Sequence, residues 1–294
     1  MEPVDVLTPA GLAAALRQAG CVYAEEEAAI MIEAAAGPGP AAVQGCDSLL
    51  AHMLEQRRAG IPLEHIVGWA EFCGLRIRVA PGVFVPRKRS EFLVQQALEA
   101  LALGGPGRAD RPLVLDLCCG SGAIGAALAQ ALKGFPLPEA RGRTGFLPAM
   151  ELHAADIDPA AVACASVNLA AHGGCVHCGD LFRALPKQLE GRIRLIVANA
   201  PYVPTADIRF MPPEARLHEP DAALNGGGDG LWLHRRIAGE APHWLEPGGR
   251  LLLESSARQA PHSAAILAGC GFRPTVHTNR DVGGTVVAGI LADR

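Results

Sequence analysis

Aromatic side chains are scarce in this sequence: eight Phe, three Trp and two Tyr make up only 4% of 294 residues. An aromatic beside a polar cluster is therefore informative. Runs of about 18 apolar residues are absent, so no membrane-spanning helix is expected. The first residues lack a basic stretch leading into a long apolar run, so no secretory leader is expected. A basic excess is also missing. The net charge of −4 argues against a general nucleic-acid surface while allowing a local basic patch. The cysteines number nine, an odd count with irregular spacing, and Cys118 and Cys119 are adjacent. That pattern points away from a disulfide framework and towards a reducing cytoplasm. No solenoid-type repeat is present.

Hydrophobic residues make up 50% and charged residues 19%, enough for a sizeable core. The length allows one large domain or two ordinary ones. Residues 1–60 read as short helices. Thr8 caps the first, with Pro9 in its opening turn and Gly20 past its end. Glu25, Glu26 and Glu27 open the second as a solvated start, and Gly37-Pro38 stops it. A third runs from about Asp47 to Arg57, Arg58 and Gly60. From Phe72 the period changes to two. Leu75, Ile77 and Val79 alternate with polar or small residues, Pro81-Gly82 reads as a turn, and Val83–Val85 as a returning strand. The expected organisation is a helical unit at 1–71, a hairpin at 72–89 and a larger domain at 90–294.

The larger domain begins with a helix near Ser90–Leu103. Strands then read at Leu113–Leu117, Glu151–Ile157, Cys175–Cys178, Arg194–Ala198 and Arg250–Glu254. Helices read at Ala123–Lys133, Pro159–Ala171, Gly230–Trp244 and Gln259–Gly269, and Pro274–Leu291 reads as a terminal hairpin. Such alternation implies an α/β domain with a mostly parallel sheet covered on both faces.

Chemistry concentrates first at Val114-Leu-Asp-Leu-Cys-Cys-Gly-Ser-Gly-Ala-Ile-Gly125. A strand runs into Gly120, Ser121 and Gly122, then a helix opens. Glycine allows the sharp turn and close approach of a bulky ligand. A second strand ends in Asp156-Ile157-Asp158, where an acid suits ribose hydroxyls. Both a dinucleotide and S-adenosylmethionine fit a glycine turn of this kind. Asp116 at the end of the first strand would repel a pyrophosphate, which favours S-adenosylmethionine. Gly122 to Asp156 spans 34 residues instead of about 20. The Pro/Gly-rich stretch 134–150 reads as the inserted loop that explains it.

The second concentration is Ile196-Val-Ala-Asn-Ala-Pro-Tyr-Val203, at the end of a strand where ligands gather in doubly wound sheets. A planar nitrogen, in a carboxamide or an aromatic amine, is a poor nucleophile because its lone pair is delocalised. The Asn199 side-chain oxygen and the Ala200 carbonyl can each accept one of its N–H groups, orienting it and favouring positive charge on nitrogen. Pro201 stiffens the turn and Tyr202 offers a flat face. No strong base is needed, since the proton can leave after transfer.

With both motifs in place, the sequence resembles the protein-(glutamine-N(5)) methyltransferase family, HemK/PrmC. The family hallmark Asn-Pro-Pro-Tyr is matched by Asn199-Ala-Pro-Tyr202. Upstream come Gly60-Ile-Pro-Leu-Glu-His-Ile-Val-Gly68, Phe72-x-Gly74-Leu75 and Val85-Pro-Arg-Lys-Arg-Ser-Glu91, where the family reads Ile-Pro-Arg-Pro-Glu-Thr-Glu. Downstream come Glu219-Pro-Asp-Ala-Ala-Leu-Asn-Gly-Gly-Gly-Asp-Gly-Leu231, Pro247-Gly-Gly249 and Leu251–Glu254. The match runs from about Gly60 to the C-terminus.

The resemblance implies a seven-stranded, Rossmann-like class I S-adenosylmethionine-dependent methyltransferase domain behind a small helical substrate-recognition domain. It implies methylation of a protein glutamine, in the best-known branch the Gly-Gly-Gln of peptide-chain release factors. Carried over, Asn199, Ala200, Pro201 and Tyr202 hold the reacting amide. Asp116, Gly120, Ser121, Gly122, Asp156, Ile157, Asp180, Leu181, Asn199 and Arg87 surround the cofactor. Two departures mark a divergent branch: Ala200 replaces a proline, and Lys88-Arg89-Ser90 turns an acidic segment basic. Other amide or amino acceptors, adenine in nucleic acid included, stay open as alternatives, as does a binding module without turnover. The net charge favours a protein acceptor over nucleic acid. A monomer suffices for this chemistry.

Cys175-Val-His-Cys178, with His172 nearby, lacks the second ligand pair of a zinc site, so no metal is expected and the thiols read as buried and reduced. Cys118 and Cys119 read as packing residues, and Arg87-Lys88-Arg89 as a basic surface cluster. The 203–229 segment reads as a long loop of the kind that closes over active sites.

Overall fold

The computed structural model describes residues 7–37, 46–103, 111–133 and 150–292. The chain opens with four helices, α1 (Pro9–Gln18), α2 (Ala24–Ala36), α3 (Cys46–Arg58) and α4 (Leu63–Val67). Thr8 caps α1 as its side chain predicts, its Oγ1 accepting from the Gly11 N–H at 3.1 Å. Leu12, Leu16, Ala24 and Met31 are fully buried and join Leu50, Met53 and Leu54 in a core of their own.

The hairpin is displaced from its expected position. Its strands are β1 (Trp69–Phe72) and β2 (Leu75–Arg78), and the chain reverses at Cys73-Gly74, not at Pro81-Gly82. Cys73 and Gly74 have φ of +50° and +72°, the left-handed pair that a two-residue hairpin turn requires. Val83 and Val85 form no strand; they are buried against Ala70, Val79 and Cys164. A single 3-10 turn, Lys88–Ser90, leads into α5 (Glu91–Leu103).

The remaining elements are β3 (Leu113–Leu117), α6 (Ala123–Leu132), β4 (Glu151–Asp156), α7 (Pro159–Ala170), β5 (Cys175–Cys178), β6 (Ile193–Ala198), α8 (Pro213–His218), α9 (Asp221–Leu224), α10 (Trp232–Trp244), β7 (Leu245–Glu254), α11 (Ala260–Gly269), β8 (Phe272–Asn279) and β9 (Gly284–Leu291). Seven strands form one sheet in the order β5-β4-β3-β6-β7-β9-β8. The first five are parallel; β9 runs antiparallel between β7 and β8. Every residue of β3 is buried, as expected of a central parallel strand. Val114, Leu195, Val197 and Leu252 pack under α5, α6 and α7. Leu115, Leu117, Ile196 and Leu253 pack under α10 and α11. Each fully buried leucine contributes roughly 1.5–3 kcal/mol.

Two further expectations change. The 203–229 segment is not a bare loop: it holds a 3-10 helix (Thr205–Phe210), α8 and α9. Cys175 and Cys178 are exposed, because β5 is the edge of the sheet. Among the described residues no three His, Cys, Asp or Glu are grouped to hold a metal. The expected 134–150 insertion lies outside the described residues except for Met150. No helix among them is long and apolar enough to cross a membrane.

Candidate active site

The order of the sheet reverses between β3 and β6, which lie side by side although β4 and β5 intervene in sequence. Helices depart to opposite faces there, and a crevice opens beyond the carboxyl ends of the strands. A cavity of about 510 Å³ occupies it.

The turn after β3 is built from left-handed residues, with φ of +58° at Cys118, +54° at Gly120 and +76° at Gly122. The two glycines serve different ends. A Cβ at Gly122 would press on α7, 3.1 Å from the Ala165 Cβ, whereas one at Gly120 would meet no protein atom within 4 Å. Gly122 sets the packing of turn against helix; Gly120 leaves an open wall. Cys118 adopts a conformation costing roughly 1–2 kcal/mol for a residue with a Cβ; it packs against the core under α10 and α11 and also lines the cavity.

Three carboxylates lie around this turn in different states. Asp116 is fully buried beneath it. Its Oδ2 accepts the Gly125 N–H at 2.9 Å, and its Oδ1 has no partner among the described residues. Burial pushes its pKa up to about 8, partly opposed by the Gly125 N–H. Asp156, at the end of β4, accepts the Gly120 N–H at 2.8 Å and the Asp158 N–H at 3.0 Å. Burial raises its pKa as well. Asp180, beyond β5, is gripped by both terminal nitrogens of Arg236 at 2.8 Å, and this pairing holds its carboxyl below the usual range. Arg236 in turn lies 5.1 Å from the centre of the Trp232 ring.

Of the residues expected around a cofactor, Gly120, Ser121, Asp156, Ile157, Asp180, Leu181 and Asn199 line this cavity. Asp116, Gly122 and Arg87 do not. Asp116 and Gly122 support the turn from below. Arg87 lines a second cavity, where it pairs with the buried carboxylate of Glu219.

That second cavity, of about 340 Å³, shares Phe84, Asn199, Pro201 and Ala223 with the first, and Ala200 and Tyr202 line it. Asn199 therefore stands between the two. Its Nδ2 donates to Ser90 Oγ at 3.2 Å, and its Oδ1 has no partner among the described residues. Ala200 is fully enclosed. The Tyr202 hydroxyl donates to Glu254 Oε1 at 3.3 Å, and the Arg89 guanidinium lies 6.0 Å from the ring centre. Burial, reinforced by Glu254, pushes the phenol up to about 12, so it stays protonated.

The loop is clamped from behind. Gln259 Nε2 donates to the Tyr202 carbonyl at 2.9 Å and to the Asp229 carbonyl at 3.1 Å. Val203 bridges to Asn225. Gly226 lies so close that a Cβ would sit 2.8 Å from the Pro201 carbonyl oxygen. The glycine-rich motif 226–230 is thus the bed on which Pro201 and Tyr202 rest. Sequence reasoning missed Ser90, Arg236 and Gln259, whose partners lie 109, 56 and 57 residues away.

No family model matches the chain. Curated relatives are similar over most of it. A release factor glutamine methyltransferase of Deinococcus radiodurans is 35% identical over 290 residues, 94% of each chain. The chain belongs to the release factor glutamine methyltransferase family. The enzyme of that name from Geobacter sulfurreducens is 37% identical over 79% of this chain and 72% of its own. A 4-amino-L-phenylalanine/4-methylamino-L-phenylalanine methyltransferase of Streptomyces pristinaespiralis is 34% identical over 75% of this chain and 70% of its own. Among solved structures, a Pyrococcus furiosus methyltransferase superposes with a TM-score of 0.51 at 16% identity, covering 81% of this chain and 99% of that one. The fold is that of the class I S-adenosylmethionine-dependent methyltransferases, and the chain is an enzyme of that class.

Proposed function

We propose that this enzyme transfers a methyl group from S-adenosylmethionine to the side-chain amide nitrogen of a glutamine in a protein. A peptide-chain release factor is the first acceptor to test. The observation that carries the reading is Asn199, set between two adjoining cavities with a side-chain oxygen that has no partner among the described residues.

The first cavity suits the cofactor. Gly120 leaves a wall free of side chain, and Asp156 and Asp180 bring carboxyl groups to its lining, while Asp116 supports the turn from below. Gly120, Ser121, Asp156, Ile157, Asp180 and Leu181 would hold the cofactor, which supplies an electrophilic methyl group on a sulfonium. The protein's contribution is orientation. Asn199 Oδ1 accepts one N–H of the acceptor amide, and the Ala200 carbonyl takes the other once the loop admits it. Both contacts strengthen as the nitrogen gains positive charge. Pro201 and the Gln259 clamp keep these acceptors in place, and Tyr202 walls the amide without ionising.

In this reading, residues 1–71 recognise the substrate, 72–89 connect, and 90–294 bind the cofactor and catalyse. A monomer in the cytoplasm is sufficient. An aromatic amine is a second acceptor class, because its planar nitrogen offers the same two N–H groups. The Streptomyces pristinaespiralis relative, named for such an amine, favours keeping it in view.

The test is methylation of a purified release factor with labelled cofactor and mapping of the label. Label on the Gly-Gly-Gln glutamine is expected. Asn199→Ala should lower kcat by about 10²–10³-fold with cofactor binding intact. A variant that binds cofactor and methylates as fast as the parent would sink the mechanism.

A further inference from the structure

We infer that Ser90 is a positioning residue for methyl transfer, anchoring the Asn199 carboxamide so that its oxygen faces the acceptor. The inference rests on the proposed role of Asn199. A carboxamide has two ends of nearly equal size and opposite polarity. Only the oxygen can receive an N–H; the NH₂ end turned towards an acceptor amide would set donor against donor. The end that is tied down therefore decides whether the site works.

In this enzyme the NH₂ end is tied down. Asn199 Nδ2 lies 3.2 Å from Ser90 Oγ, and Ser90 is only 2% exposed, so solvent does not readily replace the hydroxyl. The hydroxyl is held by a backbone with little freedom. The Ser90 N–H closes the 3-10 turn onto the Arg87 carbonyl at 2.8 Å. The preceding Arg89 is bonded to Glu254 at the end of β7. The following Glu91 accepts the Cys73 N–H of the hairpin turn at 2.9 Å. From the other side β9 presses in at Gly284, where a Cβ would lie 2.7 Å from the Phe92 Cβ and 3.0 Å from the Arg89 carbonyl oxygen. Three distant parts of the chain therefore fix the backbone that carries this small hydroxyl. Such second contacts give a reacting group its precision. The segment Lys88-Arg89-Ser90 departs from the family pattern, but its third position keeps a hydroxyl where the pattern has Thr.

Ser90→Ala and Ser90→Thr are compared with the parent in steady-state methylation of the acceptor identified above. Cofactor affinity is measured by calorimetry and stability by thermal melting. Ser90→Ala is expected to lower kcat about 10- to 100-fold, with cofactor affinity, acceptor KM and melting temperature close to the parent. Ser90→Thr should restore most of kcat. Full kcat in Ser90→Ala overturns the inference while leaving the role of Asn199 intact. So does a loss that follows melting temperature, or that Thr does not rescue. An Asn199→Ala variant with parental kcat would instead overturn the reading on which the inference rests.

Discussion

Gly230 lies directly on the backbone of Tyr202: a Cβ added to the glycine would overlap the Tyr202 carbonyl oxygen and the Gln259 amide that donates to it. The glycine also has φ of +75°, where a side chain is strained in any case. The two residues are 28 positions apart, and their contact turns a glycine-rich stretch into a mould for the catalytic loop.

Gly230→Ala should therefore destabilise the fold by about 2–4 kcal/mol, from overpacking plus backbone strain, and lower activity further by displacing Asn199. Gly228→Ala is the control, since a Cβ there meets nothing within 4 Å; it should stay within about 0.5 kcal/mol of the parent. Urea unfolding of both variants checks the pair.

Arg89 is the partner of a carboxylate that is only 2% exposed, although its own side chain is 44% exposed. Removing the arginine leaves Glu254 without its counter-charge. Arg89→Ala should cost about 1–3 kcal/mol, and adding Glu254→Gln should recover part of it. A double-mutant cycle measures the coupling; an additive result would remove the pair as a support for Tyr202.

Asp116 predicts a pH dependence of stability. Its pKa in the folded protein, about 8, lies above its ordinary value of 3.8, so the folded state binds more protons between those limits. Stability from this group is full at low pH and is lost as pH rises from about 4 to about 8. Asp156 and Glu219, raised chiefly by burial, act in the same direction. Asp116→Asn should make the unfolding free energy flatter over that window by at least about 1 kcal/mol. Buried His234, lowered to about 4, acts in the opposite direction over part of that window, so the comparison is between variant and parent: an unchanged slope in Asp116→Asn would contradict the assignment.

The thiols should separate by reactivity. Cys175 and Cys178 stand exposed on the edge strand, whereas burial raises the thiols of Cys118 and Cys119. Alkylation at pH 8 followed by peptide mass spectrometry should find the first two modified early, with activity retained, and the second two spared.

Much of the cofactor half was legible because its signals are local. The Asn199 loop follows an apolar strand, the glycine turn joins strand to helix, and β8 and β9 flank Gly283-Gly284. The hairpin turn was misplaced because Pro81-Gly82 carries the stronger conventional signal, while Cys73 is an unusual residue for φ of +50°. The helices within 203–229 left a faint one: Pro204, Pro212 and Pro220 each stand just before a helical turn, eight residues apart. What no local pattern carries is pairing at long range. Arg236 looks like any helical arginine until the fold brings it to Asp180, and Asp116 looks like a ligand-facing acid until its complete burial is seen.

Arg57 has a consequence for how the enzyme can be taken apart. This buried arginine of α3 bonds Glu27 of α2 at 2.7 Å and also pairs with Glu214 of α8, which lines the second cavity. The N-terminal helices and the acceptor wall are thus fastened by one guanidinium. A fragment cut after the helical unit would keep the cofactor crevice but lose a brace of the acceptor pocket. The helical unit is therefore not an interchangeable adaptor: exchanging it between relatives would require carrying Glu27, Arg57 and Glu214 together.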